Sequence, residues 1–290
     1  MRPNRLRQLL RAGSPTLGTH LAISWPSIVE LVGHSQVFDY VEFVAEYAPY
    51  DLYALENLGR AIDLFPHMTG MTKIEQEPRT YLAVRALGSG IQNLLFADVR
   101  TVADARECVR ATRAESPATG GIHGVGMRRD VGFVLDIGTP AFVQALEDAV
   151  VALMIEKKPA VEDLDAILSV PGIDMVQFGP ADYAMSIGLP GQWTHPAVRE
   201  AERFTIETAL GKGIAPRAEI GHPDQARRYL DMGVRHFCIG WDVAILFEWF
   251  KQNGQAMRDI FSGAAENSGA AENVGPPRAA SDTAYPRPTA

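Results

Sequence analysis

The sequence predicts a (β/α)8 barrel of the TIM type, built as one domain. Eight runs of strand length, apolar or alternating, take turns along the chain with helical patterns. Most connections between them are short, as expected when parallel strands are joined by crossover helices. A length of 290 residues with 47% apolar content is enough to fill such a core.

The elements follow in order. The opening segment carries Leu6, Leu9 and Leu10 on one helical face, stops at Gly13, and reads as a short helix across the barrel floor. Residues 16–21 form the first strand, and Trp25-Pro26 opens a helix running to Gly33. Residues 40–46 form the second strand, and Asp51 caps a helix over 52–64. A short strand at 70–74 precedes a helix over 78–87 that ends at Gly88. Strand 93–99 leads to an amphipathic helix over 101–113, then to a stretch rich in Gly and Pro from 115 to 138. Thr139-Pro140 starts the next helix, which runs to about Val150. Residues 151–155 form strand five. Pro159 opens a helix with Val161, Leu164, Ile167 and Leu168 inward, closed by Pro171-Gly172. Strand six covers 173–178. A helix over 195–212, strands at 215–220 and 236–239 with a helix over 223–232 between them, and a final helix from Val243 complete the barrel. The domain reading is an N-terminal arm over 1–15, a barrel over 16–261 and a tail over 262–290. The tail repeats GAAEN twice and holds too little apolar surface to offset its ordering entropy, so it is expected to be disordered.

A net charge of −8 argues against nucleic acid and anionic membrane surfaces as partners. Two cysteines, Cys108 and Cys238, make neither a disulfide framework nor a metal-ligand spacing, and read as buried thiols in a reducing, cytoplasmic setting. No apolar run approaches membrane-spanning length, and the basic N-terminus lacks the apolar stretch of a secretory signal.

The chemistry points to strands five and six. Each ends on an acid, Glu156 and then Asp182 after Gly179-Pro180-Ala181. Two carboxylates delivered side by side to the C-terminal edge of a parallel sheet repel unless a positive charge lies between them. A hard divalent cation is the simplest such charge. The alternative is a pair of solvated loop acids.

The segment MIEKKPAVEDLDAILSVPGIDMVQFGPADYAMSIG resembles the signature of the HpcH/HpaI aldolases, metal-dependent pyruvate aldolases of class II. Its marks are a strand ending in Glu and the pattern GIDxxxxGPADxxxxxG, and the likeness runs in register from about Leu17 to Phe250. The resemblance implies that Glu156 and Asp182 are metal ligands and that Gly179, Pro180 and Ala181 form the loop receiving the carboxylate of a 2-oxo acid. It implies Mg²⁺ or Mn²⁺ first, with Co²⁺ or Zn²⁺ as further options. The metal is expected to stabilise the enolate formed when a C–C bond breaks. Lys73 stands where the family carries an Arg on the keto oxygen, keeping the charge but not the planar fork. The family also exchanges its last helix between neighbouring barrels. With Trp241, Phe247, Trp249 and Phe250 in that helix, a homo-oligomer is expected here, a hexamer by resemblance.

The sequence departs from the family around strand two. The family's Asp-Gly-Glu-His-Ala-Pro is Val44-Ala45-Glu46-Tyr47-Ala48-Pro49, so Tyr47 replaces the acid/base His, and Gly88 replaces the Asp that pairs with it. A phenol is a poor base at neutral pH, although it can donate a proton. His20 at the end of strand one is the first candidate replacement, since His titrates nearest neutrality. Glu219 at the end of strand seven is the second. The alternatives are a core imidazole for His20 and a pairing with Arg217 for Glu219. Arg128 and Arg129, after the GGIHGVG stretch, are read either as contacts for an anionic substrate end or as surface groups.

Three functional readings follow. One is a metal-dependent lyase that cleaves a 4-hydroxy-2-oxo acid to pyruvate, or a related 2-oxo acid, and an aldehyde. A second is an oxaloacetate-type decarboxylase, or an enzyme using the enolate to form another C–C bond. A third is a barrel that binds a 2-oxo acid without turnover.

Overall fold

The computed structural model describes residues 1–267 of the chain. Eight strands, β1 (Thr16–Leu21), β2 (Tyr40–Val44), β3 (Thr69–Ile74), β4 (Asn93–Phe96), β5 (Val150–Ile155), β6 (Met175–Phe178), β7 (Ala215–Ile220) and β8 (His236–Trp241), pair in parallel and in chain order. β8 pairs back onto β1, so the sheet closes as the sequence predicts. The helices are α1 (Arg5–Arg11), α2 (Pro26–Ser35), α3 (Leu52–Asp63), α4 (Arg79–Gly88), α5 (Val102–Arg110), α6 (Pro140–Glu147), α7 (Lys158–Glu162), α8 (Leu164–Ile167), α9 (Pro180–Ser186), α10 (Pro196–Gly211), α11 (Ala226–Asp231) and α12 (Asp242–Asn267).

The capping signals act as read. The Asp51 side chain accepts from the Ala54 N–H at 2.7 Å, and Thr139 accepts from Phe142, each satisfying a first-turn donor that the helix itself cannot. α1 plugs the floor of the barrel. Its Leu6 is fully buried among Tyr40, Met71, Leu95 and Met175 from the strands above. The side chain of Asn4 caps the helix and donates to Asn93 Oδ1 at 2.8 Å, tying α1 to β4.

Several boundaries differ from expectation for local reasons. The helix after Pro159 divides into α7 and α8 at Asp163. β6 starts at Met175 rather than at residue 173, because Asp174 pairs with Arg7 and accepts from the Val151 N–H at 2.9 Å. The residues after Gly179 form the helix α9, with Pro180 in its first turn.

Two compact units divide the chain, residues 1–245 and residues from Leu246 onward. In the first, Asp242 closes the top of the β1–β8 seam, its carboxylate accepting from the backbone N–H groups of Ala22 and Ile23, each at 2.9 Å. In the second, α12 continues to Asn267, with Phe247, Trp249, Phe250, Ile260 and Phe261 exposed in a single copy. The tail expected over 262–290 lies outside the described residues from 268 onward.

Candidate active site

Glu156 follows the last residue of β5, and Asp182 stands in the first turn of α9, so the topology brings both acids to the C-terminal mouth of the barrel. Glu156 is only 2% exposed. Its Oε1 accepts from the backbone N–H of Asp98 at 2.8 Å. Asp98 can aim that N–H because its backbone is left-handed at φ 56°, which Asp tolerates better than most residues. Burial, with Asp182 and Glu46 adding to it against the pull of Lys73 and the Asp98 N–H, pushes the Glu156 carboxyl up to about 7. Gly179 is required by close approach rather than by its φ of −103°. A Cβ there would lie 2.6 Å from Glu156 Oε2.

Of the loop residues that the resemblance gave to the oxo-acid carboxylate, Gly179 donates its N–H to the Ile155 carbonyl at 3.1 Å and Pro180 has none. Ala181 remains, with a first-turn N–H that no helical carbonyl can take. The Asp182 N–H, also in the first turn, likewise has no backbone acceptor, so the loop's free donors are those of Ala181 and Asp182.

Lys73, at the C-terminal end of β3, is buried. Its Nζ lies 2.6 Å from Glu46 Oε2, donates to Tyr47 Oη at 3.0 Å and stands 4.7 Å from the centre of that ring. Burial alone would lower its pKa, but Glu156 and Glu46 outweigh burial and raise it, so Lys73 is a permanent cation facing the carboxylates. Tyr47 is 56% exposed, and partial burial keeps its phenol protonated beyond its usual range. Gly88 closes α4, which returns the chain to the start of β4, whereas Tyr47 follows the end of β2. Within one chain the two positions therefore stand at opposite ends of the barrel.

The barrel interior below the mouth holds a second polar group. Arg217 on β7 crosses to Glu42 on β2, a strand it does not neighbour in the sheet, and both side chains are fully buried. Burial alone would raise the Glu42 pKa, but Arg217, His20 and Lys73 outweigh it and hold the carboxyl low. Arg217 therefore pairs with Glu42, not with Glu219 as weighed from the sequence. Glu219 instead accepts from Gln177 Nε2 at 3.1 Å and faces His20 Nδ1 at 3.6 Å, with half its side chain exposed. His20 Nε2 lies 3.2 Å from Arg217. The same Nε2 also lies 3.4 Å from Glu42 Oε1, so the imidazole sits between Arg217 and Glu42 on one side and Glu219 on the other.

His20, Glu42 and Cys238 bring ligand atoms within 4.8 Å of one another, among the described residues. This cluster already contains its counter-ion in Arg217, and burial first of all pushes the Cys238 thiol well above its ordinary pKa. Without a metal it presents a protonated thiol and a carboxylate already paired with Arg217.

The sequence reading missed Lys157. Its Nζ bridges Asp98 Oδ1 and Asp182 Oδ1, both at 2.7 Å. Position was the available signal, since Lys157 directly follows the strand-end Glu156. The arginines after the Gly-rich stretch are engaged elsewhere, Arg128 with Asp130 and Arg129 with Asp63. His123 is buried, with Nε2 2.7 Å from the Ala111 carbonyl.

A closed parallel barrel with paired acids and a buried lysine at its C-terminal mouth has the architecture of a barrel enzyme. The chain belongs to the HpcH/HpaI aldolase/citrate lyase family, whose model matches residues 71–248. It is 32% identical over 244 residues to a 4-hydroxy-2-oxo-heptane-1,7-dioate aldolase of Shigella boydii, covering 84% of this chain and 90% of that protein. It is 29% identical over 271 residues to a hydroxypyruvate/pyruvate aldolase of Pseudomonas aeruginosa, covering 93% of this chain and 97% of that one. The crystal structure of an HpcH/HpaI aldolase/citrate lyase family protein from Burkholderia cenocepacia superposes with a TM-score of 0.79 at 30% identity, covering 88% of this chain and all of the other. The chain is thus an enzyme of the aldolase type. No helix among the described residues is long and apolar enough to cross a membrane.

Proposed function

We propose that the protein is a metal-dependent carbon–carbon lyase that reversibly cleaves a 4-hydroxy-2-oxo acid to pyruvate, or a close 2-oxo acid, and an aldehyde. The observation that carries this reading is the state of Glu156. It is a buried carboxyl whose pKa is pushed up to about 7, chiefly by burial and further by Asp182 and Glu46, even with Lys73 nearby. The mouth gathers the carboxylates of Glu46, Asp98, Glu156 and Asp182 around only two ammonium groups, Lys73 and Lys157. Two carboxylates from adjacent strand ends, beside a glycine that leaves Glu156 Oε2 unobstructed, fit a hard divalent cation such as Mg²⁺ or Mn²⁺. Co²⁺ and Zn²⁺ are also compatible with carboxylate oxygen donors. When bound, the cation supplies Lewis-acid stabilisation of enolate charge. Both aldolases to which the chain is similar support a 2-oxo acid as the shared substrate part.

In this reading Lys73 presents a fixed positive charge to the keto oxygen, and the Ala181 N–H receives the substrate carboxylate. Proton transfer falls to Glu219, whose carboxylate is exposed. His20, whose Nδ1 lies 3.6 Å from Glu219 Oε1, is assigned to positioning that carboxylate. A second reading, decarboxylation of an oxaloacetate-like acid, is favoured by Tyr47, whose protonated phenol cannot deprotonate a hydroxyl. That reaction needs no such step. The exposed aromatic face of α12 supports assembly as a homo-oligomer, a hexamer by family likeness.

The test is pyruvate release from 4-hydroxy-2-oxo acids and from oxaloacetate, with and without added Mn²⁺. Metal-dependent release from the hydroxy acids is expected. Release from oxaloacetate alone moves the assignment to the decarboxylase, and release from neither leaves a binding barrel.

A further inference from the structure

We infer that Lys157 is a built-in counter-ion that stands in for the divalent cation in the metal-free protein and sets how tightly the cation binds. The inference rests on the proposed metal site and adds a residue to it. Lys157 directly follows Glu156, and its Nζ lies 2.7 Å from one oxygen of Asp182 and 2.7 Å from one oxygen of Asp98. It therefore occupies an oxygen of one proposed metal ligand. Asp98 is coupled to the other, because its backbone N–H holds Glu156 Oε1 at 2.8 Å. One ammonium thus spans the three strand ends β4, β5 and β6 that converge on the site. Arg100 also approaches Asp98, at 3.9 Å, but its guanidinium donates to Gln76 rather than to Asp182.

The arrangement has two consequences. Without a cation, Lys157 keeps Asp98 and Asp182 from repelling each other, so the ligand geometry is held in advance. When a cation arrives at Asp182, its repulsion of the Lys157 ammonium drives Lys157 toward Asp98. Asp98 is thus the receiving partner that makes the exchange possible. A cation bound against this competition is held less tightly, and exchanges more readily, than one bound to the two carboxylates alone. Lys157 is a positioning residue here, acting on Asp182 and not on substrate.

The experiment measures Mn²⁺ affinity of the full-length protein by calorimetry and by electron paramagnetic resonance. Lys157→Met is expected to bind Mn²⁺ about tenfold or more tightly than wild type, because a unit charge a few ångströms away is removed. Lys157→Arg, which keeps the charge, should stay near wild type. The metal-free Lys157→Met protein should melt lower than wild type, and saturating Mn²⁺ should raise its Tm by more. Asp98→Asn keeps a residue that accepts the left-handed backbone, and so preserves the N–H to Glu156. It should cost more Mn²⁺ affinity with Lys157 present than in the Lys157→Met background. Unchanged or weaker Mn²⁺ binding in Lys157→Met, or an Asp98→Asn cost equal in both backgrounds, overturns the inference. Glu156→Gln separates the two levels. If it leaves wild-type Mn²⁺ binding intact, the metal site itself is wrong; if it abolishes binding while Lys157→Met changes nothing, only the role of Lys157 fails.

Discussion

Replacing Glu156 with glutamine is expected to stabilise the metal-free protein at alkaline pH while destroying the site. The folded chain raises this carboxyl from its usual 4.5 to about 7, with burial the largest cause. A folded-state pKa above the unfolded one means that the folded state prefers the protonated acid. The associated stability is fully present below about 4.5 and is lost as pH rises through about 7. At ~1.36 kcal/mol per pH unit, the interval corresponds to about 3 kcal/mol. Glutamine copies the neutral acid in shape, accepts the Asp98 N–H through its own oxygen, and does not titrate. Urea denaturation in the presence of a chelator, at about pH 5 and about pH 8.5, reads the effect directly. The gain of Glu156→Gln over wild type should be larger at the higher pH by roughly 2–3 kcal/mol. An equal difference at both pH values would refute the claim that burial and the neighbouring carboxylates raise the Glu156 pKa in the folded chain.

Other outcomes follow from the same geometry. Gly179→Ala places a Cβ 2.6 Å from Glu156 Oε2 and should weaken Mn²⁺ binding without unfolding the barrel, as read by calorimetry and circular dichroism. Glu219→Gln should slow cleavage of a 4-hydroxy-2-oxo acid by about a hundredfold or more while sparing oxaloacetate decarboxylation; equal losses in both reactions would remove Glu219 from proton transfer. His20→Asn should shift the pH profile of kcat rather than abolish turnover, and total loss would restore His20 as the base itself. Light scattering at micromolar concentration should give a multiple of the 31.6 kDa chain mass, and Trp249→Glu in α12 should reduce it.

The barrel was legible because its signals are local. Strand-length apolar runs, helix starts and glycine stops each need only a few neighbouring residues, as with Trp25-Pro26 at the start of α2 and Thr139-Pro140 at the start of α6. The positions of Glu156 and Asp182 were legible for the same reason, since each ends a strand or opens the helix after it. What the sequence hid are contacts between distant strands. Arg217 and Glu219 share a strand face, so pairing them was natural, but the interior lets Arg217 reach across to Glu42. Lys157 points to Asp98 and Asp182, which are separated from it by most of two βα units. α9 was hidden because GPAD reads as a turn, although Pro180 carried a helix-start signal.

The most direct test of a metal-assisted enolate at this mouth is exchange of the pyruvate methyl protons with D₂O, followed by NMR. It needs neither the aldehyde nor its identity. Exchange is expected with wild type and added Mg²⁺ or Mn²⁺, read in the diamagnetic Mg²⁺ samples or after removal of Mn²⁺. It should disappear with a chelator and in Asp182→Asn. Exchange that persists without a divalent cation, or that is untouched by Asp182→Asn, would contradict the account.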